Sequence, residues 1–127
     1  DLESKKIKNI KLNVSAPFHC KYMKSASNKK TSFINNLKIT KLNKPIISNV
    51  TAKEVYSPEQ IKTLLISQIE KKVRWLESVE YMINNGIKNF VEIGPGKVLS
   101  GLIKRINKDV NVKSINNEED IKLLLND

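Results

Sequence analysis

The sequence predicts an α/β fold with a largely parallel sheet flanked by helices, and three observations predict it. Two apolar runs of strand type, Ile87 to Ile93 and Val110 to Ile115, flank a helical stripe at Val98, Leu99, Leu102, Ile103 and Ile106. The first run passes straight into Gly94-Pro95-Gly96, so the order strand, glycine-rich turn, helix, strand is that of a βαβ unit. Upstream, a helix-start signature at Ser57-Pro58-Glu59-Gln60 follows a third apolar run, so strands and helices alternate along the chain.

Taken in order, residues 7–14 alternate at Ile10, Lys11, Leu12, Asn13 and Val14, which predicts a half-buried strand that delivers the chain to Pro17 and His19. Met23, Ala26, Phe33, Ile34 and Leu37 recur at roughly helical spacing and predict an amphipathic helix from about Lys21 to Lys38, lysines on its wet face. Lys44-Pro45 interrupts that pattern, and Ile46-Ile47-Ser48-Asn49-Val50 reads as a short buried strand. Ser48 and Asn49 at its end either face a ligand crevice or start a turn, and the turn is preferred. Ser57 then serves as N-cap with Pro58 at the first helical position. Ile61, Leu64, Leu65 and Ile69 form the apolar face of the helix that follows. Gln68 falls on or beside this face, where it or its backbone carbonyl holds a specific partner, or where it merely edges the stripe.

A second helix is expected from about Val73 to Asn85, with Trp75, Val79, Met82 and Ile83 inward and Gly86 as its left-handed cap. The N–H groups after Gly94-Pro95-Gly96 suit an anion in principle. The turn has neither the Walker spacing nor GxGxxG, however, so a structural role is expected. Asn117 caps a terminal helix bearing Ile121, Leu124 and Leu125.

At 127 residues the chain suits one small domain with a modest core. No apolar run approaches bilayer length and the first residues lack the apolar core of a signal peptide, so a soluble cytoplasmic protein is expected. Cys20 is the lone cysteine, with no partner for an internal disulfide or for metal-ligand spacing. Neither a metal nor a cofactor is expected. The formal charge is +10, but lysine supplies 21 of the 23 basic residues and is scattered from Lys5 to Lys122. That scatter argues against nucleic acid, and an acidic carrier protein or a polyphosphate-bearing molecule would be served equally.

His19 is the only histidine. Its type titrates near neutrality, and Pro17 stiffens the backbone that presents it, so it is a candidate general base, the alternative being a hydrogen-bonded loop histidine. Three separated segments carry a resemblance: Val14 to Met23 (VSAPFHCKYM), Ser78 to Met82 (SVEYM) and Val91 to Leu99 (VEIGPGKVL). In order and spacing they resemble the C-terminal part of the malonyl-CoA:acyl carrier protein transacylases, from about residue 5 onward.

The resemblance implies that residues 1–127 are the C-terminal portion of an α/β-hydrolase-like acyltransferase domain, with the nucleophile-bearing N-terminal part absent. It implies transfer of a malonyl group from malonyl-CoA to phosphopantetheinylated acyl carrier protein in fatty acid biosynthesis, without a cofactor. His19 matches the family's catalytic histidine, Gln68 matches the owner of the carbonyl that holds its ring, and Phe18 matches the residue that favours malonyl over methylmalonyl. The family's Gly-x-Ser-x-Gly is missing: Ser15, Ser48, Ser78 and Ser100 all lack that context. Neither Arg74 nor Arg105 matches the arginine that grips the substrate carboxylate. Cys20 does not replace the serine, because neighbours in an extended backbone point to opposite sides.

The expectation is therefore an acyltransferase fragment that does not turn over alone, with a separate N-terminal half as one further partner. Two alternatives remain open, a non-enzymatic basic α/β module binding nucleic acid or an acidic protein, and an inactive remnant.

Overall fold

The architecture follows from where the apolar stripes can be covered. A computed structural model describes residues 4–8 and 16–125. A 3₁₀ turn, Lys21–Met23, leads into α1 (Lys24–Asn35), followed by β1 (Ile46–Ile47), β2 (Glu54–Val55), α2 (Pro58–Ser67), α3 (Trp75–Asn84), β3 (Asn89–Ile93), α4 (Val98–Ile106), β4 (Asn111–Ile115) and α5 (Glu118–Leu125). Most of the strand expected over residues 7–14 lies outside the described residues.

The βαβ unit forms as the glycine-turn pattern predicts. β3 and β4 pair in parallel, Asn89 opposite Asn111 through to Ile93 opposite Ile115. The connecting α4 packs against both strands and α3 packs on α4, while α5 covers part of β4. Val79, Ile103 and Val110 are the centre of this core, with Trp75, Met82, Phe90, Ile106 and Val112 around them. Along β3, Phe90 and Glu92 are half-buried whereas Val91 and Ile93 are exposed, so only one face of this apolar strand is covered.

Two turns place α4. Gly94 and Gly96 adopt φ of 139° and 93°, a region that side chains rarely enter. The Gly96 N–H donates to Asn116 Oδ1 at 2.7 Å and the Gly94 N–H to the Ile115 carbonyl at 3.0 Å. Glu92 then reaches from β3 to the helix start, its carboxylate accepting from the Leu99 N–H (3.1 Å), the Ser100 N–H (2.7 Å) and the Ser100 hydroxyl (2.6 Å). The helix N–H groups that suited an anion are therefore occupied by a carboxylate of the chain itself, and the turn is structural.

The other half departs more from the periodicity. The run Ile46 to Val50 keeps only two residues of strand, and these pair antiparallel with β2 in a separate two-stranded sheet. Ser48 starts a turn: its hydroxyl accepts from the Val50 N–H at 3.1 Å and its carbonyl from the Ala52 N–H at 2.8 Å. Among the described residues the strands thus make one parallel and one antiparallel pair.

The helix expected over Lys21 to Lys38 ends at Asn35, whose carbonyl accepts from Lys62 Nζ at 2.7 Å, and α1 packs on α2. Ser57 caps α2, accepting from the Gln60 N–H at 3.4 Å. Arg74 ties the two halves. Its N–H donates to the Asn49 carbonyl at 2.9 Å, and its guanidinium reaches Thr51 O and Glu77 Oε1, both at 3.1 Å.

Candidate active site

The site is built from a strained turn and the C-terminal end of a helix. The Phe18 N–H donates to the Ala16 carbonyl at 2.9 Å, closing a three-residue turn around Pro17, whose fixed φ suits that geometry. His19 follows in the left-handed region, φ 59°. Histidine enters that region more readily than most residues, yet such a conformation persists only where its surroundings hold it. Cys20 returns to extended backbone, φ −146° and ψ 170°, and its thiol donates to the Pro17 carbonyl at 3.0 Å. The extended geometry expected through this segment therefore stops at His19, and the thiol is occupied within its own turn.

Gln68 is the C-terminal cap of α2. Carbonyls at a helix end have no partner within the helix, and this one takes the imidazole: His19 Nδ1 lies 2.7 Å from Gln68 O. A carbonyl only accepts, so Nδ1 carries the proton of the neutral ring and Nε2 keeps its lone pair. The contact uses the backbone of Gln68 and leaves its side-chain amide out.

His19 opens on a cleft of about 470 Å³ between α1 and the end of α2. Met23, Ala26, Lys30, Phe33 and Ile34 form one wall, and Phe18, Leu65, Gln68 and Ile69 the remainder. A mostly apolar cleft with a few polar groups is the usual form of a small-molecule site. Phe18 is 59 % exposed and Phe33 62 %, so these rings are available to a ligand rather than packed away.

Among the described residues no serine, threonine or cysteine lines the cleft. The Ser78 hydroxyl donates to the Arg74 carbonyl at 2.7 Å, Ser48 is held in its turn and Ser100 by Glu92. Ser15 lies outside the described residues. Among the described residues no cluster of three or more His, Cys, Asp or Glu is arranged to hold a metal. Among the described residues no helix is long and apolar enough to cross a membrane. The arrangement can accept a proton from a hydroxyl or thiol brought to Nε2, and among the described residues it contains no nucleophile of its own.

Phe33, core by its spacing, is instead exposed on the cleft wall. Lys30 is exposed, as expected of the lysines on the wet face, and it also borders the cleft. The signal for Lys30 was present, since it stands four residues after Ala26 and three before Phe33 on the same helical stripe.

No family model matches the chain. The chain is 42 % identical over 111 residues to the malonyl CoA-acyl carrier protein transacylase of Staphylococcus aureus (strain COL), covering 87 % of this chain and 36 % of that protein. The chain is similar to part of the malonyl-CoA:acyl carrier protein transacylases. The crystal structure of the acyl-carrier-protein S-malonyltransferase of Bartonella henselae superposes with a TM-score of 0.90 at 38 % identity, over 98 % of this chain and 40 % of that one. A malonyl-transacylase in complex with its holo type II PKS acyl-carrier protein superposes with a TM-score of 0.83 at 36 % identity, over 91 % and 38 %. The chain thus spans less than half the length of the transacylases it matches, and the α/β fold it shares with them is theirs over that span.

Proposed function

We propose that this chain is the histidine-bearing, C-terminal portion of a malonyltransferase domain that moves a malonyl group from malonyl-CoA to acyl carrier protein in fatty acid biosynthesis. The observation that carries the reading is the His19 ring, fixed at Nδ1 by the Gln68 carbonyl with Nε2 left as the base beside an apolar cleft. The likeness to transacylases over most of the chain gives that base its reaction.

His19 accepts the proton of a serine hydroxyl as the oxygen attacks the thioester carbonyl, and returns it to the departing CoA thiolate. The carrier's phosphopantetheine thiol then attacks the acyl-serine, and the same ring serves again. No cofactor or metal takes part. The serine comes from residues outside this sequence, within the same protein or on a separate N-terminal half, so the 127 residues alone do not turn over.

Phe18, at the cleft, fills the space that an α-methyl would need. A one-methyl preference is worth about 1–3 kcal/mol, a bias rather than an absolute choice. Acyl carrier protein is the partner, as it is for the transacylase solved in complex with one, and the cytoplasm is the compartment. The reading places no nucleic acid and no membrane among the partners.

The test is a transfer assay with malonyl-CoA and holo carrier protein, run on the chain alone and with a serine-bearing N-terminal portion of a transacylase added. Transfer is expected only in the second case, and His19→Ala is expected to lower it by at least about a hundredfold. Transfer by the chain alone, or indifference to His19→Ala, overturns the proposal. Nucleic-acid binding that weakens steeply with salt and ignores His19 would put the basic-module reading in its place.

A further inference from the structure

We propose that Lys30 is the cation of the His19 cleft and receives a phosphate of the incoming thioester's CoA arm. The inference rests on the transacylase reading and adds to it a residue that meets the ligand's charge.

Lys30 stands on the α1 stripe that walls the cleft, among Met23, Ala26, Phe33 and Ile34. A lysine at this point in an apolar stripe is out of place if the face serves only for packing. Its ammonium lies 5.8 Å from the centre of the ring of Phe33, another residue of the cleft wall. Among the described residues no carboxylate lines the cleft. The ion pairs among the described residues are Lys24 with Glu70 and Arg74 with Glu77, which leave Lys30 without an acidic partner. An unpaired cation beside apolar walls attracts a negative charge more strongly than the same cation in open water, because the walls focus its field. With a proton-accepting nitrogen at one end of the cleft and a cation on its wall, the ligand that fits has an apolar arm, a reacting carbonyl and an anionic oxygen group. A charged thioester meets all three requirements.

The test titrates the purified chain with acetyl-CoA, which has phosphates and no free carboxylate, and with the malonyl thioester of N-acetylcysteamine, which has the carboxylate and no phosphate. Wild type, Lys30→Met, Lys30→Arg and the control Lys24→Met are compared. Lys30 is exposed, so its variants are expected to fold, and circular dichroism checks this.

Lys30→Met is expected to weaken acetyl-CoA about tenfold and to leave the malonyl thioester unchanged, while Lys30→Arg and Lys24→Met retain both. Loss confined to the malonyl thioester, or equal loss of both probes, overturns the proposal. Equal binding by wild type and Lys30→Met overturns the proposal, as does a wild-type chain that binds neither probe at millimolar concentration. Neither result touches the transacylase reading, which is decided by His19-dependent transfer in the reconstituted assay.

Discussion

Gln68 holds the imidazole through a main-chain oxygen, and this gives the residue an unusual mutational signature. Gln68→Ala keeps the carbonyl at the end of α2, and with it the 2.7 Å contact to His19 Nδ1. Transfer in the reconstituted assay is therefore expected to remain within about threefold of wild type, and the Nδ1 proton should stay visible by NMR at low temperature. A large loss of both would show that the amide side chain, not the carbonyl, positions the ring. The sequence itself left this choice open, because spacing places a residue on a face but does not say which of its atoms is used. His19 and Phe18 were legible as a motif. The left-handed backbone at His19 was not, and neither was the partner of its ring, which lies 49 positions away in the chain. Lys30 was hidden by its type: a lysine in an apolar stripe reads as surface until the fold opens a cleft beside it.

At the scale of elements, the helix starts that rely on neighbouring residues were legible and the one that relies on a distant residue was not. Ser57 caps α2 and Asn117 accepts from the Asp120 N–H at 3.0 Å, both within one turn of the residue they cap. The cap of α4 comes instead from Glu92, on the preceding strand, seven and eight residues before its partners. The Ser100 hydroxyl and then the Ser100 N–H hold the Glu92 carboxyl below its ordinary range; burial opposes them, and the Leu99 N–H adds the least. A carboxyl whose pKa falls on folding stabilises the native state above the unfolded value, about 4.3 for glutamate, and that contribution is lost as pH drops through the lower folded value. Glu92→Gln is accordingly expected to lower Tm at neutral pH and to flatten the fall in Tm below about pH 4.5. Identical acid limbs for wild type and variant would show that the carboxylate bonds add no stability.

For the molecule as a whole, the open side of the βαβ unit is the feature that most needs a cover. Parallel strands are stable with both faces packed, yet Ile93 is 81 % exposed and Val98 71 %. The sequence made β3 and β4 legible as strands, but their apolar density does not say whether the second face is covered from within the chain. The proposed function supplies the cover, because this chain spans only 36 % and 40 % of the transacylases it resembles, from Staphylococcus aureus and Bartonella henselae. Ile93→Lys separates the possibilities. In the isolated chain the side chain touches mainly water, so the substitution is expected to shift stability by less than about 0.5 kcal/mol and to reduce aggregation by breaking an exposed apolar patch. With the serine-bearing portion added, the same lysine is buried against an apolar surface, and the concentration of that portion needed for half-maximal transfer is expected to rise at least about tenfold. A variant that reconstitutes as readily as wild type would leave the β3 face outside the contact and require the two portions to meet elsewhere, around the His19 cleft alone.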